Sequence, residues 1–246
     1  MDARAPGFGY PAPWGYFATF GWALLALVTS AIAAYASYLM WLHGDFARAI
    51  KTPYDGALVT IGSIASTPVQ VAILVFAARL KRWPIADYFA LVPPRRQDAI
   101  QSIVLLIVLM IVVEGALYLF GQDLVPPFQI DAYRTGKAAG WLPGLFLAIV
   151  LFAPVGEEIM FRGFIYRGFV RQPGHAPFAI VVITLSWMLL HVQYDWVGML
   201  QVFIVGLYLG WVRWSTGSTL LTIALHVLMN LEAMVETVIR VEWLEP

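Results

Sequence analysis

The chain has 246 residues, of which 61% are hydrophobic and 12% charged, with fifteen Lys and Arg balancing fifteen Asp and Glu. That charged share is about half of what soluble domains carry, and the mean hydropathy is +0.76, which excludes a water-soluble globular fold. The absence of any long basic or acidic run argues against nucleic acid as a partner, and the absence of cysteine excludes disulfides, thiolate metal ligands and a cysteine nucleophile.

The first fifteen residues, MDARAPGFGYPAPWG, lack the compact basic start and cleavage pattern of a signal peptide, so the apolar stretch that follows reads as a retained span. A membrane-crossing helix needs about 20 mostly apolar residues. Stretches of that kind run over 16–42, 56–80, 99–120, 141–161, 178–196, 197–214 and 218–239. Pro68 inside the second is tolerable because neighbouring helices can satisfy the freed carbonyl. The segment 81–98, KRWPIADYFALVPPRRQD, mixes basic, aromatic and proline residues and suits a loop or short helix in the headgroup region. Residues 121–140, with Pro126, Pro127, Gly136 and Gly140, read as a connecting loop. The expectation is an all-α, polytopic integral membrane bundle of about seven to eight transmembrane helices, forming a single membrane domain over 1–246. Arg79, Lys81, Arg82, Arg95 and Arg96 place the 79–98 loop in the cytoplasm. Alternating the spans then puts ten of the fifteen basic residues on that side, Arg4 included, with the amino terminus inside the cell membrane and the carboxyl terminus outside.

Three polar motifs interrupt the apolar carboxyl-terminal half: Glu157-Glu158-Ile-Met-Phe-Arg162, Trp187-Met-Leu-Leu-His191 and His226-Val-Leu-Met-Asn230. Ionisable groups at bilayer depth persist mainly when they pair or line a water-filled cavity, so these read as one polar site. On a helix Glu158 and Arg162 share a face as an ion pair, while Glu157 lies about 100° round and faces a different partner. Paired carboxylates in a low-dielectric site suit general acid and base work; a salt-bridged pair at a helix end is the structural alternative. His226 and Asn230, four apart, can act together as donors to an oxyanion. Equally, Glu157, His191 and His226 make a His/His/carboxylate set for divalent zinc, and each motif taken alone can be a polar stripe gluing helices. Depth is a constraint. His226 falls roughly 12 Å and His191 roughly 20 Å into their spans at 1.5 Å per residue, so convergence requires a fifth helix that starts later, tilts or extends below the membrane.

The order Glu-Glu-x3-Arg, aromatic-x3-His, His-x3-Asn on separate apolar helices resembles the CPBP family of intramembrane proteases, which includes the CAAX prenyl endopeptidases and the bacterial Abi proteins. The resemblance covers about 141–239, including PVGEEIMFRGFIYRGF, and departs only in Trp187, where Phe is common. It implies an intramembrane endopeptidase acting on membrane-embedded or membrane-anchored peptides. Glu157 and His191 would activate a water, His226 and Asn230 would stabilise the oxyanion, and Glu158 and Arg162 would support the first motif. A glutamate mechanism and a metal mechanism both remain open. No His-Glu-x2-His zinc motif is present, no serine sits in a nucleophile elbow, and the aspartyl-type pair at Tyr194-Asp195 stands alone, without a Gly-x-Gly-Asp on a following span. Outside proteolysis, a bacteriocin self-immunity or scaffold protein and a proton-coupled transporter, with Glu114, Glu232 and Glu236 as relay residues, are the competing readings.

Overall fold

The computed structural model describes residues 11–51 and 54–244. Residues 1–10, with Arg4 and most of the stretch weighed above against a signal peptide, lie outside the described residues. Among those described, every regular element is a helix. Six are long and apolar enough to cross a bilayer: Tyr16–Trp41, Gly56–Leu80, Arg96–Leu119, Leu142–Phe169, Trp196–Thr216 and Thr219–Leu244. The outward surface is apolar, with Phe17 95% and Leu119 82% exposed, whereas Thr19, Thr60, Thr184, Thr219, Thr222 and Thr237 are buried. This is the polarity of a helix bundle in lipid, where polar and small groups glue helices and large apolar ones face the tails.

The stretch expected as a fifth span, 178–196, differs from that outline. Its helix is Ala176–Met188, 13 residues long and too short to cross a bilayer by itself. After Met188 the chain turns: the N–H groups of Leu190 and His191 donate to the carbonyls of Trp187 and Met188, the i−3 pattern of a tightened turn. Asp195 then caps the Trp196–Thr216 helix by accepting from the Gly198 N–H at 2.8 Å. His191 thus stands in a turn and not deep inside a straight helix.

The described residues form two compact units. One comprises residues up to Ala23, Leu74–Leu124 and Glu157–His226. Within it, the predicted headgroup segment forms a short helix, Ile85–Tyr88, and docks on the first motif. Arg167 donates to the carbonyls of Asp87 (2.8 Å) and Tyr88 (3.1 Å), and Tyr88 and Phe89 pack on Phe164 with ring centroids 5.5 and 6.2 Å apart. The Ala176–Met188 helix lies against Trp196–Thr216 along a glycine stripe. A Cβ at Gly206 would meet Thr184 and the Trp187 ring, and one at Gly210 would meet Ile180. Gly206 and Gly210 are four apart, the small-xxx-small spacing that lets two apolar helices bring their backbones together.

The other unit comprises Leu24–Ile73, Val125–Gly156 and the residues from Val227 onward. Here the expected connecting loop at 121–140 is instead a 12-residue helix, Pro127–Ala138. Pro127 sits at the first turn, where its missing N–H is harmless, and Gln129, Ala132, Tyr133 and Gly136 form one buried face at i, i+3, i+4, i+7. A sequence that looks polar and proline-rich hides that face because three of its four members are polar or lack an apolar side chain beyond a methyl. The Gly56 N–H donates to Thr135 Oγ1 at 2.8 Å, and a Cβ at Gly56 would collide with the Ala132 carbonyl.

The glycine stripe yields a stability test. Gly206→Val is expected to destabilise the purified protein by about 1–3 kcal/mol, the range for overpacking a filled contact, read as a lower midpoint in detergent thermal unfolding. Substitution at the lipid-facing Leu119 is expected to leave it unchanged.

Candidate active site

The Leu142–Phe169 helix is not uniformly α-helical. π-helical turns occupy Ala148–Phe152 and Ile159–Ile165, flanking the α-helical Ala153–Glu158. Such wide turns cluster at functional sites, and this one carries Glu157 and Glu158 at its edge and Arg162 within it. Pro154 offers no N–H, which leaves a carbonyl one turn earlier short of a donor. In the second unit Asn230 Nδ2 donates to the Ile149 carbonyl at 2.8 Å, and further along the helix Thr67 Oγ1 and Gln70 Nε2 donate to the carbonyls of Phe152 (3.1 Å) and Gly156 (2.9 Å). One amide hydrogen of Asn230 is therefore engaged with backbone.

The other motif residues lie together in the first unit. Glu158 and Arg162, 0% and 1% exposed, form the expected ion pair, with Arg162 Nη1 donating to Glu158 Oε1 at 2.8 Å. Arg162 Nη2 donates to the Gly206 carbonyl at 3.1 Å. Arg213, also buried, donates from Nε to the Arg162 carbonyl at 3.0 Å. Glu158 Oε1 further accepts from His226 Nδ1 at 3.0 Å. The guanidinium and the imidazole both bond Glu158 Oε1, and the Thr222 side chain adds a further favourable interaction with this carboxylate. Its support of His226 was not foreseen from the sequence, because no spacing rule links residues 68 apart.

Trp187 joins the remaining groups. Its Nε1–H donates to Glu157 Oε2 at 2.6 Å. Its carbonyl lies 2.8 Å from His191 Nδ1, and since a carbonyl only accepts, Nδ1 carries the proton and Nε2 the lone pair in the neutral ring. The His191 and His226 rings meet the indole edge to face, with centroids 4.9 and 5.5 Å away, and the Arg162 guanidinium lies 4.6 Å from the indole centroid. Glu157, Arg162, His191 and His226 thus converge on one buried tryptophan, with Glu158 bonded to two of them. Glu157 is half-buried, and among the described residues neither its Oε1 nor Nε2 of either histidine has a hydrogen-bond partner. Tyr194, weighed in the sequence only as half of a Tyr-Asp pair, lies in the turn after His191. Burial pushes its phenol up to about 12, with the negative charge of Glu157 adding to the push, so it stays protonated beside that carboxylate. The Gly206-x3-Gly210 spacing was legible in the sequence; nothing there set Tyr194 beside Glu157.

The donor types at Glu157, His191 and His226 suit zinc, yet among the described residues their ligating atoms do not all lie within 4.8 Å of one another.

Residues 139–231 match the family model described as Type II CAAX prenyl endopeptidase Rce1-like. No curated protein and no solved structure matches the chain.

Removing one member of a buried ion pair strands the other charge, which typically costs about 3–5 kcal/mol. Glu158→Ala is accordingly expected to lower the unfolding midpoint sharply, whereas Glu157→Ala, at a half-exposed position, is expected to shift it little. Equal shifts for the two variants would contradict the division of labour between the carboxylates.

Proposed function

We propose, from the premise that the Rce1-like segment at 139–231 assigns this multi-pass membrane protein to the CPBP/CAAX protease family, that the chain is an intramembrane endopeptidase working through Glu157 and His191. The observation that carries this reading is the convergence of both residues on Trp187, each with one acceptor atom free. Glu157 Oε1 takes a proton from a water held also by His191 Nε2. The water oxygen attacks the peptide carbonyl carbon, and Glu157 then returns the proton to the leaving amine as the C–N bond breaks.

His226 serves the oxyanion. Its Nδ1–H is committed to Glu158, so Nε2 donates only from the doubly protonated ring, and the Glu158 carboxylate is the counter-charge of that form. Glu158 and Arg162 therefore act through His226 and through the shape of the π-helical turn. The substrate is a peptide embedded in or anchored to the bilayer. The excess of Lys and Arg on the 79–98 side is the reason to assign that side, and the amino terminus, to the cytoplasm.

The test is cleavage of a quenched, membrane-anchored peptide by protein reconstituted in vesicles. Glu157→Ala, His191→Ala and His226→Ala are each expected to lower kcat about 10²–10⁴-fold, the usual worth of a positioned acid or base. Undiminished cleavage by Glu157→Ala would sink the assignment. Cleavage is also expected to survive chelation and exhaustive metal removal, and its abolition, restored by added zinc, would favour a metal mechanism.

A further inference from the structure

A glutamate side chain has three rotatable bonds, and fixing it costs roughly 1.5–2 kcal/mol of rotamer entropy. A base that must meet a water at a defined point therefore needs something rigid to hold it, within about 0.5 Å for a productive constellation. Glu157 is only half-buried and, unlike Glu158, has no cationic hydrogen-bond partner among the described residues. What it has is one short bond, 2.6 Å, from the indole of Trp187. That indole is itself immobilised. It is buried, its Cε3 lies 3.0 Å from where a Gly206 Cβ would be, the Arg162 guanidinium lies 4.6 Å from its centroid, and two imidazoles flank it. The same residue's backbone carbonyl fixes the tautomer of His191.

We infer that Trp187 is the positioning residue of the water-activating pair, its side-chain N–H orienting the Glu157 carboxylate while its main-chain carbonyl orients His191. The inference rests on the reading of Glu157 as the base. The two arms are separable, because a substitution at 187 removes the N–H and leaves the carbonyl. A phenyl ring in this position packs but donates nothing, so the aromatic identity of the motif is not a neutral choice in this chain.

The decisive comparison replaces Trp187 in the full-length, reconstituted protein by 3-benzothienylalanine, which keeps the bicyclic shape and lacks the N–H, and by 7-azatryptophan, which keeps both. Trp187→Phe is measured alongside. The N–H-less isostere and Trp187→Phe are expected to lower kcat about tenfold to a hundredfold, the worth of one hydrogen bond to a charged group, with KM within about twofold. The azaindole is expected to stay within a few-fold of the native enzyme. Full kcat for the benzothienyl protein, with Glu157→Ala inactive, overturns the inference and leaves the proposed function standing. Native-like cleavage by Glu157→Ala is instead a failure of that function reading. The bond itself is read without catalysis, from the indole N–H proton resonance assigned by its loss in Trp187→Phe: it is expected to move in Glu157→Gln, and an unmoved resonance overturns the inference whatever the enzyme does.

Discussion

A carboxylate with no solvent exposure, in an apolar bundle, is stable only while a cation and hydrogen-bond donors compensate it. Glu158 meets that condition through Arg162 and His226, and much of the first unit is arranged around the need. Arg162 in turn reaches the Gly206 carbonyl. Arg213 holds the Arg162 carbonyl. Three helices are thereby tied at one buried charge, and His226 is oriented as a consequence.

With that network in place, the second carboxylate is left for chemistry. Adjacent in sequence, Glu157 and Glu158 differ in every environmental respect: one is sealed and ion-paired, the other half-open and held by an indole. The separation follows from helix geometry, which turns neighbouring side chains about 100° apart, and from the wide π-helical turn that begins at Ile159. Two like charges side by side are tolerable because only one of them lies fully inside.

Trp187 links the two halves of the site. Its helix is short, ends one residue later and folds into a turn, so that His191 returns to the residue four before it. His191 avoids the depth mismatch with His226 that one straight span over 178–196 would impose, because the helix ends at Met188. Close approach of this helix to Trp196–Thr216 depends on Gly206 and Gly210, and a side chain at either would displace the ring that touches both histidines or the helix that carries it.

Composition and periodicity were sufficient for the helical, membrane-crossing character, for most span positions and for the Glu158–Arg162 pair, because each depends on local spacing or on average hydrophobicity. The three motifs, read in order, also pointed to the family whose model matches residues 139–231. The helix at Pro127–Ala138 escaped notice because its buried face is built from Gln129, Ala132, Tyr133 and Gly136, which carry little hydropathy signal. The bonds from His226 to Glu158 and from Trp187 to Glu157 join residues 68 and 30 apart, and no local rule specifies such contacts. What the sequence by itself determined was which polar groups must find partners in an apolar chain. Which partner each one found was decided by tertiary structure, since a hydrogen bond forms between atoms that packing brings within 3 Å and is blind to their separation along the chain.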